Sequence, residues 1–424
     1  MRHVRSLAAL CAAAAVASVC AAAPAGARAA PAAGANAAPG AVQAPSLSVT
    51  AAALIDERSG RQLYALNAGA RLPIASTTKL MTALLTLERV RRLSTMFTQT
   101  DYYPAAVDSQ IGLVPGERMS VHDLLLALLL PSADDAAQDL AYNVGRHSVA
   151  FFVAMMNVRA RELGLRHTHY STPSGLDTPG NYSSASDLVT LARWLLLHHP
   201  FFAHAVDLAS ATLQTGDAVR HVVNTNDLVG HGAWINGVKT GHTADAGYVL
   251  IGSGTRDGIT LISAVLGTDS ESARDANTLA LLDWGFANFH SVRPLLGGRV
   301  LARLPVQGQS RERVGVIAAR TLTEVVAKTA RVRVRLVLPR QLTAPRARHA
   351  VVGTAVVLAG STTLARVPLL LAQRLSAPAT SATLLITRPF TLVPLVLLLA
   401  VAAVFILRRR EHSRRSDAPG PEPA

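Results

Sequence analysis

Of the 41 lysines and arginines in this chain only three are lysine, and two of those stand in Ser76-Thr77-Thr78-Lys79 and Lys239-Thr240-Gly241. A chain that writes arginine almost everywhere, yet keeps lysine at these two places, needs an amine there. A desolvated lysine can lose its proton, and a guanidinium effectively cannot. Positions i and i+3 share one face of a helix, so Ser76 and Lys79 bring a hydroxyl and an amine within reach of each other. Serine alone is a poor nucleophile and needs a base to take its proton. A lysine made neutral by burial and by a second cation is such a base, and Lys239 is the candidate second cation. The fold therefore has to bury Lys79 and bring position 239 close to it.

The rest of the chain sets the context for that chemistry. At 424 residues with half of them apolar, more than one domain and a sizeable core are expected. Arg2 and Arg5 precede an apolar run over 7–23, and small residues follow to position 30. That is the pattern of a secretory signal peptide over 1–29, with Ala-x-Ala choices near Ala27 or Ala29. Both cysteines, Cys11 and Cys20, fall inside it, so the mature chain is expected to hold no thiol, disulfide or thiolate metal site. Residues 390–407 carry no charge and are followed by Arg408, Arg409, Arg410, Arg414 and Arg415. A helix of that length reaches roughly 27 Å, near the hydrocarbon thickness of a bilayer. A transmembrane helix over 388–408 is expected, with a cytoplasmic tail at 409–424 and everything upstream outside.

Between those ends the pattern is α+β. Residues 30–46 read as an Ala/Pro-rich leader. Runs at 52–55 and 62–66 flank Ser59-Gly60 as strand, turn and strand. Apolar residues at three- and four-residue intervals predict helices over 76–87, 121–130, 136–144, 150–163 and 186–197. Strands return at 238–240, 248–251 and 260–265, the last two joined by Asp257-Gly258, a hairpin signal. A closing helix is expected at 279–289. An antiparallel sheet flanked by a helical cluster is the implied architecture for 47–289, followed by a smaller β-rich domain over 290–387. From His290 to Arg348 that second domain has 13 lysines and arginines against Glu312 and Glu324. Such a surface is either a solvated face or an attractor of anionic headgroups and envelope polyanions. Nucleic acid is not expected, because no stacking aromatics interleave the charge.

The match to known phrases extends well beyond two motifs. It runs through Pro73-Ile74-Ala75-Ser76-Thr77-Thr78-Lys79, Leu130-Pro131-Ser132-Ala133-Asp134-Asp135, Pro173-Ser174-Gly175-Leu176, Asn224-Thr225-Asn226 and Gly237-Val238-Lys239-Thr240-Gly241-His242. Over about 47–289 the chain resembles the D-alanyl-D-alanine carboxypeptidases, the low-molecular-weight penicillin-binding proteins of serine peptidase family S11. The resemblance implies a penicillin-binding-protein and β-lactamase-like catalytic domain, a β-rich second domain and C-terminal membrane attachment. It makes Ser76 the acylated nucleophile, Lys79 its general base and Ser132 a proton relay to the leaving amine. Lys239, Thr240 and Gly241 would bind substrate, and backbone N–H groups of Ser76 and His242 would form the oxyanion hole. The implied substrates are peptidoglycan stem peptides ending in D-Ala-D-Ala, with β-lactams as covalent inhibitors. No cofactor or metal is implied, and His167, His169, His198 and His199 lack a third ligand at short spacing.

One position departs from the family pattern, which has Ser-x-Asn where this chain has Ser132-Ala133-Asp134. An amide both donates and accepts hydrogen bonds, whereas an ionised carboxylate only accepts. Three outcomes are open for Asp134: a protonated acid, a salt bridge with Lys79 or Lys239, or an impaired site. Two rival functions follow. A class A serine β-lactamase would add a Glu-x-x-Leu-Asn phrase between Ser132 and Lys239, which is lacking. A non-catalytic envelope scaffold would have kept the fold and lost the chemistry.

Overall fold

In the computed structural model, residues 43–230, 232–377 and 389–415 are described. The expected signal peptide and most of the leader lie outside them. The central sheet begins with strands β1 (Ala51–Asp56) and β2 (Gln62–Leu66), joined by a turn at Gly60 with φ of +71°. Every residue of β1 is buried, which explains its run of Ala, Leu and Ile without polar alternation: the strand lies inside the sheet and is covered on both faces.

The chain then leaves the sheet for the helical cluster. Its helices are α1 (Lys79–Arg89), α2 (Val121–Leu129), α3 (Asp134–Val144), α4 (Val149–Glu162), α5 (Ala185–His198) and α6 (Pro200–Val206). Ser120, Ser148 and Ser184 each accept a backbone N–H from the third residue on, capping α2, α4 and α5. Two short ladders brace the cluster, β3 (Met96–Thr98) with β4 (Arg118–Ser120) and β5 (Ser210–Leu213) with β6 (Arg220–Val223). The chain returns to the sheet as β7 (Ile235–Thr243), β8 (Gly247–Arg256) and β9 (Ile259–Thr268). The sheet order is β2-β1-β9-β8-β7, antiparallel throughout. The β8–β9 turn takes positive φ at both Asp257 and Gly258, the backbone that a two-residue hairpin needs.

Helix α7 (Glu271–Asn288) covers the other face of the sheet. It starts eight residues before the expected 279, because Ser270 caps it through the Ala273 N–H at 3.2 Å and its first two turns are polar. The helix α6, not expected from the sequence, opens on Pro200, a residue favoured in a helix's first turn. Beyond α7 come β10 (Phe289–Leu295), β11 (Val300–Val306), β12 (Gln309–Ala318), β13 (Leu322–Ala327), β14 (Val332–Val337), β15 (Val351–Ala359) and β16 (Thr362–Leu371). Five of them form a sheet in the order β11-β12-β16-β15-β14, and β10 pairs with β13. This part has its own hydrophobic cluster around Val314, Val357 and Leu369.

The last helix, α8, spans Pro389–Arg415. Among the described residues no helix is long and apolar enough to cross a membrane. The transmembrane helix expected over 388–408 is not found among them.

Asp139, on α3, is buried and accepts from Asn143 Nδ2 at 2.9 Å. Burial pushes its carboxyl from the ordinary 3.8 up to about 7. The folded chain therefore binds a proton that the unfolded chain releases near pH 4. Stability from this group is fully present below pH 4 and falls as pH rises to 7, by at most about 4 kcal/mol. Asp139→Asn is expected to flatten that decline and to raise the melting temperature at pH 8, as thermal unfolding from pH 4 to 8 would measure.

Candidate active site

Ser76 sits in a 3₁₀ turn, Ala75–Thr78, that runs directly into α1. The turn is held from several sides. Thr77 Oγ1 donates to Ile74 O at 2.6 Å, Asn181 Nδ2 donates to Thr78 Oγ1 at 3.1 Å, and Thr82 Oγ1 donates to Pro173 O at 2.7 Å. Ala75, just before the nucleophile, has φ of +47°, a region that non-glycine residues seldom occupy. Its carbonyl is approached so closely by Gly175 that a Cβ there would lie 2.0 Å from Ala75 O, at a φ of +96°.

The i, i+3 expectation holds: Lys79 Nζ donates to Ser76 Oγ at 2.8 Å. Lys79 is fully buried and also donates to Ser174 O at 3.0 Å. Asp134 Oδ1 lies 2.6 Å from the same nitrogen, an ion-pair contact whose angles are not those of a hydrogen bond. Asp134 reaches it as the first residue of α3, its own N–H bonded to Ser109 O at 2.7 Å. The partner of Asp134 is therefore Lys79, settling one of the alternatives left open by the sequence. Burial pulls the Lys79 amine below the ordinary lysine value, with the Asp134 charge opposing. Burial likewise pushes the Asp134 carboxyl up, with the Lys79 charge opposing. Burial thus works against the charged form of each group, and their mutual attraction works for it.

Strand β7 brings the second phrase. It is the edge strand of the central sheet and runs beside the nucleophile turn. Gly241 permits that approach, since a Cβ there would stand 3.0 Å from both Ala75 Cβ and Ser76 N. Lys239 is 1% exposed and makes only a 3.3 Å bond to Thr240 O. Burial, then the positive charge of Lys79, holds it well below the ordinary value. The Thr240 hydroxyl is 2.6 Å from that of Thr225, and the His242 ring stacks on Tyr248 at 4.0 Å. Ser132 has φ of +66° and a buried hydroxyl that makes no hydrogen bond within the protein. Ser76, Ser132, Asp134, Thr240, Gly241 and His242 all line one cleft of about 600 Å³.

Arg274 also lines this cleft and was missed by the sequence analysis. It lies in the polar first turns of α7, the fourth of the eight residues that the expectation at 279–289 left out. Its Nε donates to Asp275 at 2.8 Å, while Nη2, 3.0 Å from Glu271, is buried without an aligned hydrogen bond. A buried guanidinium with donors to spare is suited to a carboxylate. The Ser270 cap was the signal that could have found it. Among the described residues no group of three or more His, Cys, Asp or Glu is placed to hold a metal.

A Ser-x-x-Lys turn with its lysine buried, facing a Lys-Thr-Gly edge strand on an α+β scaffold, is the arrangement of the penicillin-recognising serine acyltransferases. More narrowly, the chain belongs to the D-alanyl-D-alanine carboxypeptidase family, Peptidase S11, whose sequence profile matches residues 38–270. It is 33% identical over 244 residues to D-alanyl-D-alanine carboxypeptidase DacF of Bacillus subtilis, covering 57% of this chain and 62% of that protein. With DacA of Escherichia coli it shares 32% over 274 residues, covering 62% of this chain and 66% of the relative. The matches thus span just under two thirds of those relatives' lengths. The structure of penicillin binding protein 5 from Haemophilus influenzae superposes with a TM-score of 0.68 at 28% identity, over 80% of this chain and all of that one.

Gly175→Ala is expected to break the support of the nucleophile turn, since backbone would have to move by more than 1 Å. Thermal unfolding should record a loss of 2 kcal/mol or more, and a serine-directed covalent probe should label Ser76 more slowly than in the parent.

Proposed function

We propose that this chain is a working serine D-Ala-D-Ala carboxypeptidase that trims the terminal D-Ala from peptidoglycan stem pentapeptides. The observation that carries the reading is the 2.8 Å contact between Ser76 Oγ and a fully buried Lys79 Nζ. Ser76 Oγ attacks the carbonyl carbon of the D-Ala–D-Ala bond and passes its proton to the Lys79 amine. The oxyanion that forms is met by the backbone N–H groups of Ser76 and His242, donors worth about 3–4 kcal/mol each in such sites. Ser132 relays a proton to the departing amine, leaving an ester on Ser76 that water hydrolyses. Lys239, Thr240 and Arg274 hold the terminal carboxylate of the substrate. A β-lactam enters the same path and stays as the ester.

Asp134 governs how readily Lys79 takes that proton. With its proton, Asp134 can donate to a substrate carbonyl as an amide would, and that rotation frees the Lys79 lone pair for Ser76. Its carboxylate form holds the proton on Lys79 and slows acylation. Replacing it removes the charge that raises Lys79, and each pKa unit is tenfold in the free amine.

The chain is further proposed to be exported and tethered to the membrane by α8. The support is the uncharged sequence 390–407 with its following arginines, which together with residues 1–29 has the pattern of a C-terminally anchored envelope protein. Detergent-free fractionation would find the chain in the membrane, and removal of 389–424 would release it.

The deciding measurement is D-alanine release from a blocked peptide ending in Lys-D-Ala-D-Ala, beside Ser76→Ala. Release by the parent and none by the variant is expected. No release from a folded parent would favour the scaffold reading, and rapid turnover of penicillin the β-lactamase one. Asp134→Asn is expected to raise the acylation rate at neutral pH, with the difference narrowing at alkaline pH, where Lys79 is free of its proton in both proteins. A variant slower than the parent at every pH would refute the restraining charge of Asp134.

A further inference from the structure

A second cleft, of about 940 Å³, shares no lining residue with the first. The tips of two hairpins of the central sheet form one wall, with Arg58, Ser59 and Arg61 from the β1–β2 turn and Gly258 from the β8–β9 turn. The ladder of β10 and β13 supplies Ser291, Arg293, Thr323 and Glu324, the β12–β13 connection supplies Arg320, and the start of β16 adds Thr362 and Thr363. Four guanidinium groups thus converge on one concavity with a single carboxylate. None of the four is within ion-pairing distance of an acid among the described residues. The one nearby acid that is engaged, Asp56, is taken by Ser59, whose hydroxyl and N–H both donate to it.

Like charges gathered on one concavity repel, and the hydrophobic cluster of this part of the chain involves none of the four. Guanidinium forks beside hydroxyl groups match the many acceptor oxygens of phosphate, which they grip bidentately. The volume is that of a small-molecule site, and it exceeds the needs of a single ion.

We infer that this cleft binds an oligoanion carrying two or more phosphate groups, gripped by Arg58, Arg61, Arg293 and Arg320. Glu324, on the floor of the cleft and 7% exposed, opposes the ligand's charge and sets an upper limit on affinity. Burial pushes its carboxyl up, while Arg61 and Arg320 pull it back. The concave shape suits a soluble phosphate chain, and a phospholipid headgroup offers the same chemistry from another source. The cleft belongs to the binding of the protein to its surroundings and leaves the acylation chemistry untouched.

The test is titration calorimetry of the purified chain with tripolyphosphate, and in parallel co-sedimentation with vesicles of phosphatidylglycerol in phosphatidylcholine. Arg58→Gln/Arg293→Gln/Arg320→Gln is expected to weaken binding about a hundredfold, as three charge-assisted contacts are lost. Glu324→Gln is expected to tighten it severalfold. Opposite signs from two variants at one site separate binding from misfolding. Unchanged labelling of Ser76 by a fluorescent penicillin, or an unchanged melting temperature should that labelling fail in the parent too, shows that both variants fold. Tripolyphosphate binding that follows this pattern supports a soluble ligand; vesicle binding alone that follows it assigns a headgroup. No binding in either arm, or binding indifferent to both variants, overturns the inference.

Discussion

An amine held away from water is the constraint around which the catalytic part of this molecule is organised. Lys79 is fully buried and touches a hydroxyl, a carbonyl and a carboxyl at once. Burying an ammonium without compensation is costly, so the group either keeps its partners or gives up its proton. Each of the three contacts comes from a different element: the 3₁₀ turn, the 173–175 segment and the start of α3. Those elements are in turn held by the interior of the helical cluster, with Leu80, Leu84, Leu128 and Leu140 all fully buried. The setting of the serine is thus tied to the packing of side chains that lie outside the cleft.

Close backbone approach is the second requirement. Two glycines, Gly175 and Gly241, stand where any side chain would strike the turn that carries Ser76. One lets a loop support Ala75 in its left-handed conformation, and the other lets the edge strand β7 lie against the nucleophile. An edge strand is ordinarily exposed to unwanted pairing. Here Thr240, Gly241 and His242 of that strand line the cleft beside Ser76. Lys239 and Arg274 stand on this side of the sheet and both are buried, Arg274 beside Glu271 and Asp275.

Much of this was legible in the chain. The strands around the Asp257-Gly258 turn, the helices α1 to α5 and the pairing of Ser76 with Lys79 follow from local patterns whose physics is local: side-chain periodicity, a two-residue turn and i, i+3 spacing. Helix α7 was read too short because its first turns are polar, and Arg274 was lost with them. The fate of Asp134 was not legible either. Position 134 could have faced Lys79 or Lys239, and only the angle at which α3 enters the site chooses between them.

The sequence by itself determined which groups are the candidates for the chemistry, because a serine and lysine at helical spacing and a Lys-Thr-Gly strand are short-range chemical statements. Only the tertiary structure decided what surrounds them: a carboxyl 2.6 Å from the base, a guanidinium in the cleft and four arginines converging across two sheets. Those are contacts between residues tens to hundreds of positions apart. No local pattern encodes such proximity, since it arises from how sheets and helices bury their apolar faces against one another.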